Sequence, residues 1–430
     1  MRYLKQITIS FLFVLTACQS DIEISPVVDS DSSNINARWS MTTISPDQAK
    51  QEALAFVNGM ESSTRSTESD KHVSSIYAWR STDIYSDDIM RGVTTTTLPD
   101  TLLYIVNFEE NSGYALVSAS DKVPGVMAYI ENGSLTPNDE IDNPGFQLFL
   151  EGYREYILSD REYVPTDSIV GPSGPYQPVP GHFYEVEYSA GPLLTTNWGQ
   201  REPYNNNCPI INNQHALAGC VAIAIAQITG YHRYPSQPVN YGTPYNWNSM
   251  MQYEDVPLSD SVACANVAML VHDIGLLVNM TYGQNSSGTY YENVEDALQS
   301  YGYNYLIDHS AIFDSIKVDI DNERPVYMQG ARQSTNNGET IYYGHAWVVD
   351  GVAIKSLYLE RNHGGGSSIV KLTQNLIHCN WGWNGSNNGY FIIGAFENRY
   401  NLNNDGIESG FRPYNYYNYV YRKITPILYN

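Results

Sequence analysis

The stretch from Ala218 to Pro235, AGCVAIAIAQITGYHRYP, constrains the fold of this chain more than any other. From Cys220 to Gln227 its residues are small or apolar on every side, which predicts a helix that is buried all round. Gly219 permits a sharp entry into that helix, and Pro235 disfavours helical geometry at the residue before it. Cys220 is therefore expected in the first turn of a central core helix.

The position of Cys220 favours an ionised thiol. The unpaired backbone N–H groups and the positive dipole end at a helix N-terminus favour an anion, so a cysteine there tends to have a lowered pKa. A buried structural cysteine is equally compatible with this position, because free cysteine is among the most buried residue types. The choice between the two depends on partners elsewhere in the chain.

Length and charge bound the classes of protein to consider. The 430 residues are enough for two or three domains. With 46 acidic against 23 basic residues the net charge is −23, which excludes nucleic acid as a natural partner. Most of this excess lies before residue 189, so the two halves differ in character. The 36 tyrosines, with many Asn, Gly and Ser residues, indicate an exported, β-rich protein.

The amino terminus, MRYLKQITISFLFVLTACQS, has the pattern of an export signal over residues 1–18. Its apolar run is too short to span a membrane. The sequence Leu15-Thr16-Ala17-Cys18 resembles the lipobox of bacterial lipoproteins, which implies a lipid on Cys18 and a membrane lipoprotein at the outer membrane or cell surface. The alternative is an ordinary cleaved signal in which Cys18 has no role.

The other four cysteines are Cys208, Cys220, Cys264 and Cys379. None forms a CxxC pair, so neither a zinc site nor a redox dithiol is indicated. The spacing leaves open a disulfide among the three besides Cys220.

A tether and a helix follow the signal. Residues 19–44 are polar and rich in Asp, Ser and Asn, which is typical of a disordered segment. A helix is then predicted with Ser45 as N-cap and Pro46 at its first position, ending at Gly59. Residues 61–75, rich in Ser and Thr, are interpreted as a loop.

Strand patterns and a second helix complete this first domain. The runs TLLYIVNFE, GYALVSAS and GVMAYIENG are separated by turn residues and predict a meander. A second helix is predicted from about Pro144, capped by Asn143, to about Leu158. Residues 45–160 thus form a small α+β domain.

The remaining chain divides into a connecting segment and a larger domain. Residues 161–190 are rich in Pro, Gly and Ser, which predicts an extended linker accessible to proteolysis. Residues 191–430 carry helical patterns first, then the strand patterns VYMQG, HAWVVDGVA, IHCNW and YFII. This order predicts an α+β domain with two lobes and a cleft between them.

The larger domain contains the partners that a thiolate nucleophile needs. His345, preceded by Gly344 at the start of a buried strand, is the candidate base. Asn380 on a following strand could accept from the imidazole N–H, with Trp381 covering that hydrogen bond. The side-chain amide of Gln200 and the backbone N–H of Cys220 could form an oxyanion hole. The chemistry requires neither a metal nor an organic cofactor.

These residues carry a family resemblance. PLLTTNWGQREPYNNNCP, AGCVAIAIAQITGYHRYP, VYMQG, YGHAWVVDG and NWGWNGSNNGYF resemble the streptopain family of papain-like cysteine peptidases, and residues 45–160 resemble its inhibitory propeptide. The resemblance implies a papain-like two-lobed fold with Cys220 as nucleophile and His345 as general base and acid. It also implies Asn380 with Trp381 as the orienting pair and Gln200 as oxyanion donor.

The sequence departs from the family in three places. Tyr343 replaces a second glycine before the histidine, which affects the expected shape of a subsite. About twenty residues, Ala353 to Leu372, look inserted as a loop that modifies the cleft. NRYNLNNDGIESGFRPYNYYNY replaces a glycine-rich loop near the carboxyl end.

Some polar and aromatic residues have a second interpretation. His215 is a rival base, but so close a loop neighbour is more typical of a structural residue. His378 is expected on the same strand face as Asn380, near the site or simply within the sheet. Trp347 and Trp383 are typical of core residues. By family analogy, Ser286 and Ser287, with Gly344, would line a substrate subsite.

The main hypothesis is therefore an exported, lipid-anchored cysteine endopeptidase made as a zymogen. Its partners would be protein or peptide substrates, its own prodomain as an intramolecular inhibitor, and a membrane through the lipid. An amidase, glutaminase or transamidase would use the same Cys-His-Asn chemistry. A non-catalytic inhibitor or binding protein is the alternative of another class, although it would not need Cys220, Gln200, His345 and Asn380 together.

Overall fold

The computed structural model describes residues 44–64, 71–80, 101–120, 125–158, 173–178, 185–308, 313–336, 339–363, 366–396 and 419–427. The predicted export signal with Cys18, nearly all of the predicted tether, residues 161–172 of the predicted linker, and nearly all of the segment NRYNLNNDGIESGFRPYNYYNY lie outside the described residues. None of the helices within these ranges has the length and apolarity needed to cross a bilayer.

The chain forms α-helices and β-strands in both halves. The elements up to residue 190 are α1 (Pro46–Thr64), β1 (Val73–Arg80), β2 (Thr101–Phe108), β3 (Tyr114–Ser118), β4 (Val126–Ile130), α2 (Pro144–Leu158), β5 (Ser173–Pro178) and β6 (Glu185–Ala190). Those that follow are β7 (Ile210–Ile211), β8 (Gln214–His215), α3 (Cys220–His232), α4 (Trp247–Met250), α5 (Ser261–Leu277), α6 (Glu292–Ser300), β9 (Asn304–Asp308), α7 (Phe313–Asp321), β10 (Val326–Asn336), β11 (Glu339–His363), β12 (Gly366–Asn380), β13 (Gly389–Ile392) and β14 (Tyr419–Ile427).

One antiparallel sheet runs through both halves of the molecule. Within the described residues its order is β1-β2-β3-β4-β13-β12-β11-β10-β14-β9, and β5 and β6 also pair with β11. The junction lies between β4 and β13, where Ile130 pairs with Gly389 and Ala128 with Phe391. The first domain is therefore joined to the larger one by main-chain hydrogen bonds as well as by side-chain packing.

The predicted helix at Ser45 is present, but it does not end at Gly59. The Ser45 hydroxyl accepts from the backbone N–H of Gln48 at 3.2 Å, as a capping residue should. The helix continues to Thr64. At Gly59, a Cβ atom would lie 3.0 Å from Cγ2 of Val186 in β6, so this glycine allows close packing rather than a helix stop.

The meander has four described strands rather than three. β2, β3 and β4 match the predicted runs, and β1 adds a further strand beside β2. β1 escaped prediction because it lies at the edge of the sheet and buries fully only Trp79, so it lacks the alternation of a half-buried strand.

The central helix α3 was predicted correctly. Gly219 enters it with a positive φ of 91°, and Arg233 ends it in the left-handed conformation. Every residue from Cys220 to Gly230 is buried. The predicted helix LSDSVACANVAMLVHDIGLLV is α5, whose N-cap Asp260 accepts from the backbone N–H groups of Val262 and Ala263. α3 and α5 pack in one lobe, and β11 brings the sheet lobe against α3.

The predicted insertion at Ala353 to Leu372 is not a loop over the cleft. β11 and β12 continue through it as a paired hairpin, with Leu357 opposite Leu372. We call residues 352–376 of these two strands the distal hairpin. β5 and β6, which belong to the predicted linker, pair with its β11 edge. These parts of the linker are extended, as predicted. Because they are hydrogen-bonded to the hairpin, they are less accessible to proteolysis than predicted.

Candidate active site

Cys220 is the first residue of α3 and is only 1 % exposed. Burial raises the pKa of its thiol to about 11, although backbone hydrogen bonds from Ala346 and Val221 act in the opposite direction. The predicted lowering of this pKa is therefore wrong for the structure described. The helix N-terminus does not offset the loss of solvent around the sulfur.

His345 lies on β11 and is completely buried. Its Nε2 lies 2.7 Å from the backbone oxygen of Trp381, so Nε2 carries the proton and donates it. Nδ1 has no hydrogen-bond partner among the described residues, so the ring is not bonded to the Cys220 thiol. Burial lowers the pKa of His345 to about 4, so the imidazole is neutral at pH 7. This tautomer leaves Nδ1 free to accept a proton.

The predicted hydrogen bond between Asn380 and His345 is absent. Oδ1 of Asn380 accepts from Nε2 of Gln227 at 3.1 Å and from the backbone N–H of Gly382 at 3.2 Å. Its Nδ2 donates to the backbone oxygen of Thr196 at 2.6 Å. The imidazole N–H donates instead to the backbone oxygen of Trp381, the residue that follows Asn380.

Gln227 is a residue of the site that the sequence analysis missed. It is fully buried on α3, two turns after Cys220, and its Oε1 accepts from Thr196 Oγ1 at 2.9 Å. Its other amide atom donates to Asn380, so Gln227 ties the cysteine helix to the strand that carries the orienting residue. A lone amide in an otherwise apolar helix was the available signal, because a buried polar group requires partners.

Gln227→Met is expected to lower kcat of the processed enzyme about tenfold and to leave KM nearly unchanged, since one hydrogen bond that orients Asn380 is lost. Thr229→Val is the matched control, because Thr229 is buried on the same helix and its hydroxyl donates to the backbone oxygen of Ala226. Steady-state kinetics on a fluorogenic peptide would compare them. Equal effects of both substitutions, or an effect of Gln227→Met on KM alone, would contradict the positioning role.

Gln200 is 2 % exposed, and both of its side-chain polar atoms lack a hydrogen-bond partner among the described residues. Its backbone oxygen accepts from the N–H of Ala218 at 3.0 Å, which places the Gln200 loop beside the entry to α3. A buried amide without a partner is costly unless a ligand satisfies it. The position fits the predicted oxyanion donor.

Trp381 belongs to an aromatic layer beneath the histidine. Its ring packs against Trp347 and Phe391 at centroid distances of 5.2 and 5.1 Å, and its indole N–H donates to the backbone oxygen of Asn387. Trp347 is stacked nearly parallel to His345, so it is a core residue as predicted. Trp383 is only partly buried, and it meets the same imidazole edge-on at 6.2 Å. Because Asn380 and His345 are not hydrogen-bonded to each other, Trp381 does not cover such a bond as predicted.

The first turn of α2 closes the site. A Cβ atom at Gly145 would lie 2.2 Å from Cε3 of Trp381 and 2.8 Å from Cδ2 of His345, so only glycine permits this approach. Asn143 caps α2 as predicted, since its Oδ1 accepts from the backbone N–H groups of Gly145 and Phe146. Its Nδ2 donates to the backbone oxygen of Ser386 in the larger domain. The first domain thus rests on the imidazole itself.

Gly145→Ala is expected to raise the residual activity of the uncut chain by about tenfold or more, because relief of the clash requires α2 to move off His345. Peptide hydrolysis by freshly purified full-length protein would show this. Gly242→Ala is the control, because a Cβ atom there would meet no other atom within 4 Å, and it should leave the uncut chain as inactive as before. If uncut Gly145→Ala protein is as inactive as the parent, the position of α2 over His345 does not depend on this contact.

The three predicted substrate-binding residues lie in two parts of the larger domain, Ser286 and Ser287 in the 281–288 loop and Gly344 on β11. Ser287 is buried; its hydroxyl donates to the backbone oxygen of Leu217 at 2.7 Å and accepts from the N–H of Gly283 at 3.0 Å. It therefore holds the 281–288 loop against the segment that precedes Cys220. Ser286 is half-buried, and Gly344 pairs with Ala331 within the sheet, immediately before His345.

The two rival histidines have other partners. His215 is exposed on β8, and its Nδ1 donates to the backbone oxygen of Cys208. His378 is buried, with Nδ1 2.6 Å from a carboxylate oxygen of Asp350 and Nε2 3.5 Å from one of Glu131. Burial acts to lower the pKa of His378, but the two carboxylates outweigh it and raise the pKa to about 10.

The cysteines left open by the sequence are free thiols. Cys208, Cys264 and Cys379, like Cys220, take part in no disulfide within the described residues. Burial raises the pKa of Cys208 to about 11 and also raises that of Cys264.

The fold and the site define a cysteine peptidase held latent by its own amino-terminal domain. Residues 198–391 match the model of the Peptidase C10 family, and residues 41–157 match that of the Spi protease inhibitor. The chain therefore contains a Peptidase C10 (streptopain family) domain and a Spi protease inhibitor propeptide domain, and it is a streptopain-like cysteine endopeptidase zymogen.

Known relatives share both parts of the chain. It is 27 % identical over 354 residues to streptopain of Streptococcus pyogenes, covering 73 % of this chain and 78 % of that protein. It is 26 % identical over 328 residues to the thiol protease/hemagglutinin PrtT of Porphyromonas gingivalis, covering 68 % of this chain. The chain spans only 34 % of the length of that relative.

A solved structure has the same fold. A prointerpain A fragment from Prevotella intermedia superposes with a TM-score of 0.51 at 23 % identity, covering 76 % of this chain and 96 % of the fragment. The α+β, papain-like fold with a preceding prodomain agrees with the prediction from sequence.

Proposed function

We propose that this peptidase is exported and lipid-anchored, and that it cuts peptide bonds in proteins with Cys220 as nucleophile and His345 as general base and acid. The observation that carries the assignment is the closure of the site: α2 rests on His345 and Trp381, while Cys220 is buried at the head of α3 beside Ala346. The contact of the inhibitor domain with this imidazole supports a catalytic role for His345.

The reaction follows from these groups. With the prodomain removed, His345 takes the proton of Cys220, and the thiolate attacks the scissile carbonyl carbon. The backbone N–H of Cys220 and the amide of Gln200 stabilise the oxyanion. His345 then protonates the departing amine, and water hydrolyses the thioester to regenerate the thiol. In the processed enzyme Asn380 with Trp381 orients the imidazole.

The domain layout gives each segment a task. Residues 1–18 direct export and place a lipid on Cys18, residues 19–44 form a tether, residues 45–160 inhibit, residues 161–190 are the activation segment, and residues 191–430 are the peptidase. Two or three acyl chains on Cys18 give stable anchoring, since each buried methylene contributes about 0.8 kcal/mol. The protein is held at the outer membrane or cell surface until processing releases the peptidase domain.

An amidase or transamidase with the same residues is the second candidate from the chemistry alone. The matches to peptidase relatives and to a protease inhibitor favour proteolysis over it. A non-catalytic inhibitor would not need the buried Gln200 amide without a partner beside the cysteine helix.

Product analysis and fractionation test this proposal together. Processed protein is expected to cut casein at internal bonds, with no preference for a donor amine over water as acyl acceptor. Full-length protein should fractionate with membranes, whereas Cys18→Ala should not. Acyl transfer to the amine without casein cleavage would make the enzyme a transamidase. Membrane-bound Cys18→Ala protein would refute the lipid anchor while leaving the peptidase assignment intact.

A further inference from the structure

We infer that the prodomain stays bound to the peptidase domain after the connecting segment is cut, and that Lys355 and the distal hairpin form the surface that holds it. The inference rests on the proposed function only in treating the first domain as the inhibitor. If the inference is correct, activation requires dissociation of the prodomain and not only cleavage of the connecting segment.

The distal hairpin presents an apolar face to the prodomain. On β11 the residues Ala353, Lys355 and Leu357 point to one side, because side chains alternate along a strand. Ala353 and Leu357 are fully buried in one hydrophobic cluster with Phe56 and Val57 of α1. Leu372 and Leu376, opposite them on β12, belong to the same cluster. The prodomain and the hairpin therefore share a single core, as in an obligate interface.

Lys355 joins this face to the prodomain through a hydrogen bond and a ring contact. It is 0 % exposed, and its Nζ donates to the backbone oxygen of Val126 in β4 and lies 4.5 Å from the ring centroid of Phe56. Burial lowers the pKa of Lys355 well below its ordinary value, and the carboxylate of Glu52, itself buried on α1, opposes this. A buried amino group requires polar partners, and the groups that surround this one come from the prodomain.

A second basic group repeats the arrangement closer to the active site. His378 of β12 is buried, and its Nε2 faces the carboxylate of Glu131, just after β4. Beside it, β4 and β13 are hydrogen-bonded strand to strand. Lys355 and His378, on the same face of the shared sheet, therefore each lie near an acidic side chain of the prodomain.

None of these contacts depends on an intact connection. β6 pairs with the distal hairpin from Val352 to Ser356 and belongs to the peptidase side of any cut that precedes it. A cut between Pro178 and Glu185 leaves the apolar face, Lys355 and the β4 to β13 pairing unchanged. A lipid-anchored prodomain would then keep the cut peptidase at the membrane.

The test uses the full chain with Cys220→Ala and a site-specific protease sequence inserted between Pro178 and Glu185. After cutting, the two fragments are expected to co-elute in size-exclusion chromatography at micromolar concentration. Lys355→Met should weaken their association about 10- to 100-fold, as expected for loss of a buried hydrogen-bond donor at the interface. Lys371→Met is the matched control, because Lys371 lies on the same hairpin but is exposed and pairs with Glu187 at the surface.

A second variant covers the case in which Lys355→Met does not fold. Glu131→Gln changes the more exposed acidic partner on the prodomain, and it should weaken association several-fold. Separation of the unmodified fragments on cutting, or equal retention with Lys355→Met and Lys371→Met, would overturn the inference.

The same insertion in a chain with Cys220 intact separates this inference from the proposed function. Cutting alone should leave peptide hydrolysis near the level of the uncut chain, and removal of the prodomain should release it. Full activity directly on cutting would overturn the inference and support the proposed function. If the fragments stay together but the peptidase domain is inactive after prodomain removal, the inference would be supported and the proposed function overturned.

Discussion

Replacing Cys220 by alanine is expected to reduce peptide hydrolysis by the processed enzyme to background, a loss of about six orders of magnitude in kcat. Alanine has no nucleophilic atom, so no thioester forms, and the remaining groups only bind and polarise the substrate. Initial rates on a fluorogenic peptide, with matched prodomain removal, measure the effect.

The other thiols provide the controls for Cys220→Ala. Cys264 is half-buried on α5, and Cys208 is buried in the helical lobe. Cys264→Ala and Cys208→Ala should hydrolyse the peptide at rates close to that of the parent enzyme. Substantial hydrolysis by Cys220→Ala, or loss of activity confined to one of the control variants, would show that the nucleophile lies elsewhere.

The thiol of Cys220 in the uncut chain is expected to react with iodoacetamide at least about 100-fold more slowly at pH 7 than after prodomain removal. With a pKa of about 11, only about one thiol in ten thousand is ionised at pH 7. A thiolate of high pKa is intrinsically more nucleophilic, which offsets part of this difference, but the thiol is also inaccessible.

The pH dependence of alkylation distinguishes an effect of Cys220 ionisation from an effect of restricted access to the thiol. Below a pKa of about 11 the thiolate fraction of the uncut chain rises about tenfold per pH unit, so alkylation of Cys220 should do the same between pH 7 and 9. After prodomain removal, a thiolate paired with protonated His345 should react at a nearly constant rate between about pH 6 and 8. Peptide mapping assigns the label to Cys220. A flat profile in the uncut chain would refute the raised pKa.

The local features of the fold were predictable because their causes lie within a few residues. α3 follows from an unbroken apolar run after Gly219, and the helix caps at Ser45 and Asn143 are side-chain oxygens beside unpaired N–H groups. The strand patterns at 326–330 and 345–353 lie within β10 and β11. Where short-range chemistry decides, the sequence is sufficient.

The state of the active site was not predictable, because long-range contacts determine it. Gly145 is 200 positions before His345, and no periodicity in either segment indicates that α2 would rest on the imidazole. That contact coincides with the hydrogen bond of His345 to the Trp381 carbonyl and with the burial that raises the pKa of Cys220. The residue types indicated the chemistry, and the tertiary fold determined that it is latent.

The distal hairpin shows a second limit of sequence analysis. The stretch from Ala353 to Leu372 suggested an inserted loop, yet β11 and β12 continue through it as paired strands as far as His363 and Gly366. Lys355 would ordinarily be assigned to the solvent face of such a strand. Its burial depends on an acceptor more than two hundred residues earlier in the chain, so only the assembled structure shows it.

Active-site titration tests the central claim most directly. Processed enzyme is incubated with increasing amounts of an epoxide-type peptidyl thiol reagent, and residual hydrolysis is plotted against label incorporated at Cys220. A Cys-His peptidase with this nucleophile should lose activity in strict proportion, reaching zero at one label per molecule, while the uncut chain takes up almost none. Hydrolysis that persists when Cys220 is fully labelled would contradict the account.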